Sequence, residues 1–215
     1  MPRAADRSIR ARLRRLLRRV ALAVVAVLLL PVLLTLVYRV VPPPITPLMA
    51  IRIIEGDGAE RTWAALETLP KNLPLAVIAA EDNRFCQHWG FDWHAIGDAI
   101  DEAQAGKGLR GASTISMQLT RNLFLWPGGG WARKGLEALW TPAVELLLGK
   151  RRIVELYLNV AETGRGIFGV EAAGIAAILP NPREWSPKSG YGASRVPVLA
   201  RRMRNVEALA GCVLK

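Results

Sequence analysis

The run "VALAVVAVLLLPVLLTLVY", Val20 to Tyr38, holds nineteen residues without a charge. As a helix it is about 28 Å long, close to the hydrocarbon thickness of a bilayer. Its flanks give the direction of crossing. Residues 1 to 19 carry eight arginines against Asp6 alone, whereas only Arg39 precedes "VVPPPITP" on the far side. The positive-inside rule keeps 1–19 in the cytoplasm and sends everything after Arg39 across. A cleaved signal peptide is the rival reading, but its apolar core is usually shorter and no small-x-small cleavage site follows Tyr38. An uncleaved anchor is therefore expected over 20–38. Pro31 is compatible with it, since membrane helices tolerate proline.

Locating the charge also narrows the partners. The formal charge is +11, which on a soluble chain would point to nucleic acid. Most of it belongs to the tail, and the remainder is only mildly basic, with neither a helix-turn-helix nor a zinc pattern. A DNA-binding module is disfavoured. The length of 215 residues suits one domain with appendages. Cys86 and Cys212 would meet an oxidising compartment. Their distance in sequence says nothing of pairing, and they are expected to stay unpaired; no metal-type cysteine cluster exists.

Beyond the anchor, 39–70 reads as an extended linker leading into the domain, its prolines forming a stiff spacer off the membrane. Within it "LMAIRIIEG" fits a strand or a helix start equally well. From 71 to 215 helical patterns dominate, in "NLPLAVIAAEDNRF", "STISMQLTRNLFLW", "WARKGLEALW", "TPAVELLLGKRRIVELYLNV" and "VEAAGIAAIL". Strand-like alternation is scarce, so the fold class is mostly α.

Three stretches carry candidate chemistry. In "EDNRFCQHWGFDW" the acidic pair Glu81 and Asp82 stands at the end of an apolar helix, where it is either solvated or held for a purpose, because burying a carboxylate unpaired is costly. In "GASTISMQLTRNLFLW", Ser113 is a plausible N-cap. Counting 100° per residue gathers Thr114, Gln118, Arg121 and Asn122 on one stripe beside an apolar stripe of Ile115, Leu119, Leu123 and Trp126. Hydroxyl, amide and guanidinium donors suit a phosphate or a sugar, although polar faces are ordinary on surface helices. In "WARKGLEALW", Arg133 and Lys134 stand four and three residues before Glu137, on one face. That is either a local salt-bridge cluster or two cations for a pyrophosphate with a carboxylate held among them.

These stretches, with "KRRIVELYLNVAETGRGIFGVEAA", stand in the order and approximate spacing of the peptidoglycan glycosyltransferases, which the chain resembles from about Pro42 to Arg204. The anchor, "TPLM", "LPNPREWSP" and "SGY" are similar to the monofunctional biosynthetic type. Four consecutive motifs make the likeness specific, where one alone is weak. The resemblance implies a lysozyme-like domain at the outer face of the cell inner membrane that polymerises lipid II and releases polyprenyl pyrophosphate. It implies Glu81 as general base on the acceptor 4-hydroxyl and Glu137 as the second acidic residue. Asp82, Ser113, Gln118, Arg121, Asn122, Arg133 and Lys134 fall at its sugar- and phosphate-holding positions. The partners it implies are lipid II, the growing strand, the membrane and other cell-wall synthesis proteins, with no nucleic acid. No cofactor is required, a divalent cation at the pyrophosphate being the one it leaves open, and no metal ligands are assigned. A lysozyme-like hydrolase is disfavoured, having no pyrophosphate for the RK-x-x-E cluster to hold.

Three departures from the family pattern stand out. Arg121 replaces a common lysine, which keeps the charge and changes its geometry. Met117 replaces the first of a glutamine pair, off the polar stripe. After "GVEAA" the chain runs straight into "GIAAILPNP", without the usual turn and helix, so the domain is shortened near 173–177. A folded but marginal domain is expected, because the motifs lie upstream of the join. The alternative is a catalytically impaired relative that binds lipid II or cell-wall synthases.

Overall fold

The computed structural model of the chain describes residues 3–106, 111–169 and 211–214. The join at 173–177, the expected helix "VEAAGIAAIL" and the closing motifs lie outside the described residues. Helices account for most of the rest. Helix α1, Arg3–Tyr38, takes in both the arginine-rich tail and the apolar run as one element. Its part Ala11–Tyr38 is long and apolar enough to cross a membrane.

The end of the anchor packs against the domain. Pro31, Thr35 and Tyr38 recur at helical spacing on one face of α1 and are buried against the domain. The Tyr38 ring stacks on Phe124 at 6.3 Å, and the Tyr38 carbonyl accepts a hydrogen bond from Arg152 Nε at 2.9 Å. The anchor thus docks directly. Burying an aromatic and a helix end removes more apolar surface from water than a free tether would. "LMAIRIIEG" resolves as helix α2, Pro47–Ile54. Thr46 caps it, its Oγ1 accepting from Met49 N, with proline at the first helical position where its missing N–H costs nothing. Arg52, buried on α2, grips Glu162 with two nitrogens and Glu55 with the third.

Helix α3, Asn72–Glu81, is apolar all round and accordingly buried, with Val77, Ile78 and Ala79 essentially inaccessible. A 3-10 turn, Phe85–Gln87, leads to α4, Trp93–Gln104, which Asp92 caps by accepting from His94 N and Ala95 N. Helix α5, Ile115–Phe124, lies against α6, Trp131–Val160. The two helical patterns expected over 131–160 form one run broken at Gly149, whose φ of 73° only glycine adopts cheaply. A small sheet was not anticipated: β1, Glu60–Arg61, pairs parallel with β3, Ile167–Phe168, which pairs antiparallel with β2, Glu162–Gly164. Strands of two and three residues are too short to show alternation. The core joins α3, α5 and both halves of α6 through Phe85, Ile115, Leu119, Val144, Ile153 and Leu156. Each such side chain contributes roughly 1.5–3 kcal/mol when buried.

The short helix α7, Gly211–Leu214, corrects the expectation for the cysteines: Cys86 and Cys212 form a disulfide across 126 residues of sequence. Val213 is fully buried and its carbonyl accepts from Arg151, so packing delivers Cys212 to the turn that carries Cys86. A bridge closing so long a loop typically contributes about 2–4 kcal/mol. Cys86→Ala should therefore lower the melting temperature by roughly 5–15 °C. A melt identical to that of the oxidised protein would show the bridge to be dispensable.

Candidate active site

The helix α3 ends because Asp82 leaves helical geometry, at φ −159° and ψ 73°. That break turns the two carboxylates to different surroundings. Asp82 is buried and fully engaged. Its Oδ2 accepts from Ile115 N at 3.0 Å, and both oxygens lie about 3 Å from His88 Nε2, at 2.9 and 3.1 Å. It therefore fastens the end of α3 to the start of α5. Glu81 Oε2 accepts from Gln118 Nε2 at 3.0 Å. Its Oε1 is shielded from solvent and has no hydrogen-bond partner among the described residues. One oxygen is fixed and the other is enclosed without a partner among the described residues.

Glu81 lines a cavity of about 240 Å³ together with Asp82, Arg84, Asp92, His94, Asp98 and Ser113. The wall is polar and open to solvent, the character expected of a sugar site. Thr114, not Ser113, caps α5, its Oγ1 accepting from Met117 N and donating to the Gly90 carbonyl at 2.6 Å. Gly90 has φ 88°, and a Cβ there would lie 2.8 Å from Thr141 Cγ2, so only glycine permits this approach. Released from capping, the Ser113 hydroxyl accepts from Lys134 Nζ at 2.9 Å.

The α6 cluster forms as its spacing required, but deeper than a surface salt bridge. Glu137 is 1% exposed and receives Arg133 Nη1 on Oε2 at 2.7 Å and Lys134 Nζ on Oε1. Arg133 is itself buried. Two cations are thus held by one carboxylate, each on its own oxygen, and Ser113 ties Lys134 to the Glu81 cavity. The remaining pair, Arg121 and Asn122, lines a second cavity of about 210 Å³ with Leu48, Leu125, Trp126 and Gly128. Its walls are half apolar. Trp126, expected on the apolar stripe, lies past the end of α5 and is about half exposed.

Sequence reasoning missed the supports. Glu145, buried, accepts from Ser116 Oγ at 2.5 Å and from Lys150 Nζ at 2.7 Å, and the Lys150 ammonium sits 4.2 Å above the Phe85 ring. Burial, opposed by Glu145, lowers the Lys150 pKa below the ordinary lysine value. The pair bridges the break at Gly149 beneath the loop that carries Asp82. His88 has no role legible in the sequence. A histidine six residues after an aspartate has no helical or strand relation to it, so no local signal linked them.

A family model described as Transglycosylase matches residues 49–177. The chain is 47% identical to the biosynthetic peptidoglycan transglycosylase of Rhodospirillum centenum over 223 aligned positions, which take in 93% of this chain and 96% of that protein. It is 43% identical to the protein of that name from Caulobacter vibrioides over 93% of this chain and 97% of the relative. For the one from Stutzerimonas stutzeri the identity is 44%, over 90% and 91%. The Rhodospirillum alignment is longer than the share of this chain it covers, so that relative carries positions that have no counterpart here.

Proposed function

The chain belongs to the transglycosylase family, and from that membership we propose that Glu81 is the general base of a transfer between two lipid pyrophosphates. The protein is a peptidoglycan glycosyltransferase that polymerises lipid II into glycan strands for the cell wall. The observation that carries the assignment of roles is the pair of cavities. Glu81, with one oxygen held by Gln118 and the other without a partner among the described residues, lines the polar cavity. Arg121 lines the half-apolar one. The Lys134–Glu137–Arg133 cluster adjoins the first through Ser113.

In this reading the acceptor hydroxyl lies in the first cavity and the donor's pyrophosphate at the cations. Glu81 takes the hydroxyl proton as the oxygen attacks the donor's anomeric carbon; the new C–O bond forms and the bond to pyrophosphate breaks, its electron pair leaving with the phosphate. Arg121, Arg133 and Lys134 stabilise that charge. Glu137 acts through the two cations it holds. In this reading the charge of the leaving group falls to the guanidinium and ammonium groups. Leu48, Leu125 and Trp126 suit the first units of the lipid.

The membrane placement supports a lipid substrate. Trp140 Nε1 on α6 donates to the Leu28 carbonyl, midway along the apolar run, while Leu139 and Leu146 on α6 are exposed. In this reading these exposed leucines meet lipid beside the anchor. The arginine-rich tail supports a cytoplasmic N-terminus, and the disulfide supports a periplasmic domain, since such bridges persist in oxidising compartments. Other cell-wall synthesis proteins are further partners in this reading.

Full-length protein in detergent, incubated with labelled lipid II, should yield glycan polymer and polyprenyl pyrophosphate in step. Unchanged lipid II, or binding without polymer, would overturn the enzymatic reading in favour of a lipid II-binding role.

A further inference from the structure

Gln118 does more than touch Glu81: its amide is itself held. The Tyr157 hydroxyl lies 3.0 Å from Gln118 Oε1, on the side opposite the carboxylate. An amide presents a donor at one end and an acceptor at the other, and only the donor attracts a carboxylate. Turned about its last bond, Gln118 would set its carbonyl against Glu81 and repel it. A backbone contact, Gln118 Nε2 to the Ser113 carbonyl at 3.5 Å, is too long to decide between the two orientations. The phenol decides.

We propose that Tyr157 is a positioning residue for the base, its hydroxyl donating to Gln118 Oε1 and so restraining the amide with its N–H against Glu81. Tyr157 is 3% exposed and comes from the second half of α6, beyond the Gly149 break, so three elements meet in one hydrogen-bonded line: α6, α5 and the end of α3. Burial, with the charge of Glu81 adding to it, holds the phenol proton well above the ordinary tyrosine range. The hydroxyl is therefore a donor at every pH at which the enzyme would be assayed. The inference rests on Glu81 acting as the base.

The readout is the acid limb of the kcat/KM profile, where the base becomes protonated. Other charged groups face the same space: Asp82 beside Glu81, Arg121 on α5, the Lys134–Glu137 pair on α6, and Arg84, Asp92, His94 and Asp98 on the cavity wall. Tyr157→Phe leaves all of them in place, so a moved limb reports the Gln118–Glu81 contact. Losing a donor to a carboxylate makes it hold its proton to higher pH. Full-length Tyr157→Phe, assayed on lipid II below its melting temperature, should show the limb raised by roughly one pH unit.

Gln118→Leu, which removes the amide, should raise it in the same direction. The double variant should go no further than Gln118→Leu alone, because Tyr157 acts only through that amide. A Tyr157→Phe profile superimposed on the wild type, or a double variant showing the sum of the two shifts, would overturn the role of Tyr157. The two readings fail separately. Wild-type turnover by Glu81→Gln removes the base and this inference with it, whereas an inactive Glu81→Gln beside an unmoved Tyr157→Phe limb removes Tyr157 alone.

Discussion

Glu81→Gln should lower polymerisation by at least about 10²-fold while lipid II binding and thermal stability stay near the wild type. The substitution keeps the shape of the side chain. Its carbonyl oxygen can still accept from Gln118 Nε2, the one hydrogen bond that fixes the native carboxylate. What it removes is the capacity of the other oxygen to take a proton. The neighbouring acid should behave in the opposite way. Asp82 is bonded to Ile115 N and His88 in the core, so Asp82→Asn strikes the junction of α3 and α5 and should show first as lost stability. Turnover by Glu81→Gln equal to the wild type would remove Glu81 from the mechanism.

That contrast between adjacent residues was only half legible in the sequence. An apolar helix ending in two acids could be read from "LPLAVIAAED", because burial on every face leaves its mark at short range. Which acid is buried depends on where the chain turns at Asp82 and on an N–H thirty-three residues later. The same division runs through the chain. The anchor and the α6 cluster declare themselves at spacings of three, four and nineteen residues, where helical geometry maps number onto position. On α5 the stripe expected at Thr114, Gln118, Arg121 and Asn122 divides, Gln118 meeting Glu81 while Arg121 and Asn122 line the second cavity. The cap of α5 was assigned one residue early, since Ser113 and Thr114 are chemically interchangeable there and only the tertiary partners, Lys134 and Gly90, distinguish them. The disulfide, the docking of Tyr38, the His88–Asp82 pair and the Tyr157–Gln118 contact all join distant segments or elements. No periodicity encodes such pairs; they follow from how α5 and the two halves of α6 close around α3.

Glu137→Leu should be the most damaging single change to stability, at about 3–5 kcal/mol, because it leaves a buried guanidinium without its counter-charge. Arg133 is 9% exposed and its Nη1 has Glu137 as partner, whereas Lys134, with a side chain 36% exposed, can turn toward water. The cost therefore falls on Arg133. It follows that Arg133→Met combined with Glu137→Leu should recover much of the lost stability, since a buried ion pair replaced on both sides by apolar groups is often neutral. Polymerisation should not recover with it. The double variant has lost one of the cations assigned to the departing pyrophosphate and the carboxylate that orients the other toward Ser113. Chemical denaturation of the purified variants separates the two effects, and a lipid II assay on the same samples reads the second. If the double variant regained both stability and wild-type polymerisation, the cluster would be a structural pin alone. The charge of the leaving group would then rest on Arg121 and Lys134.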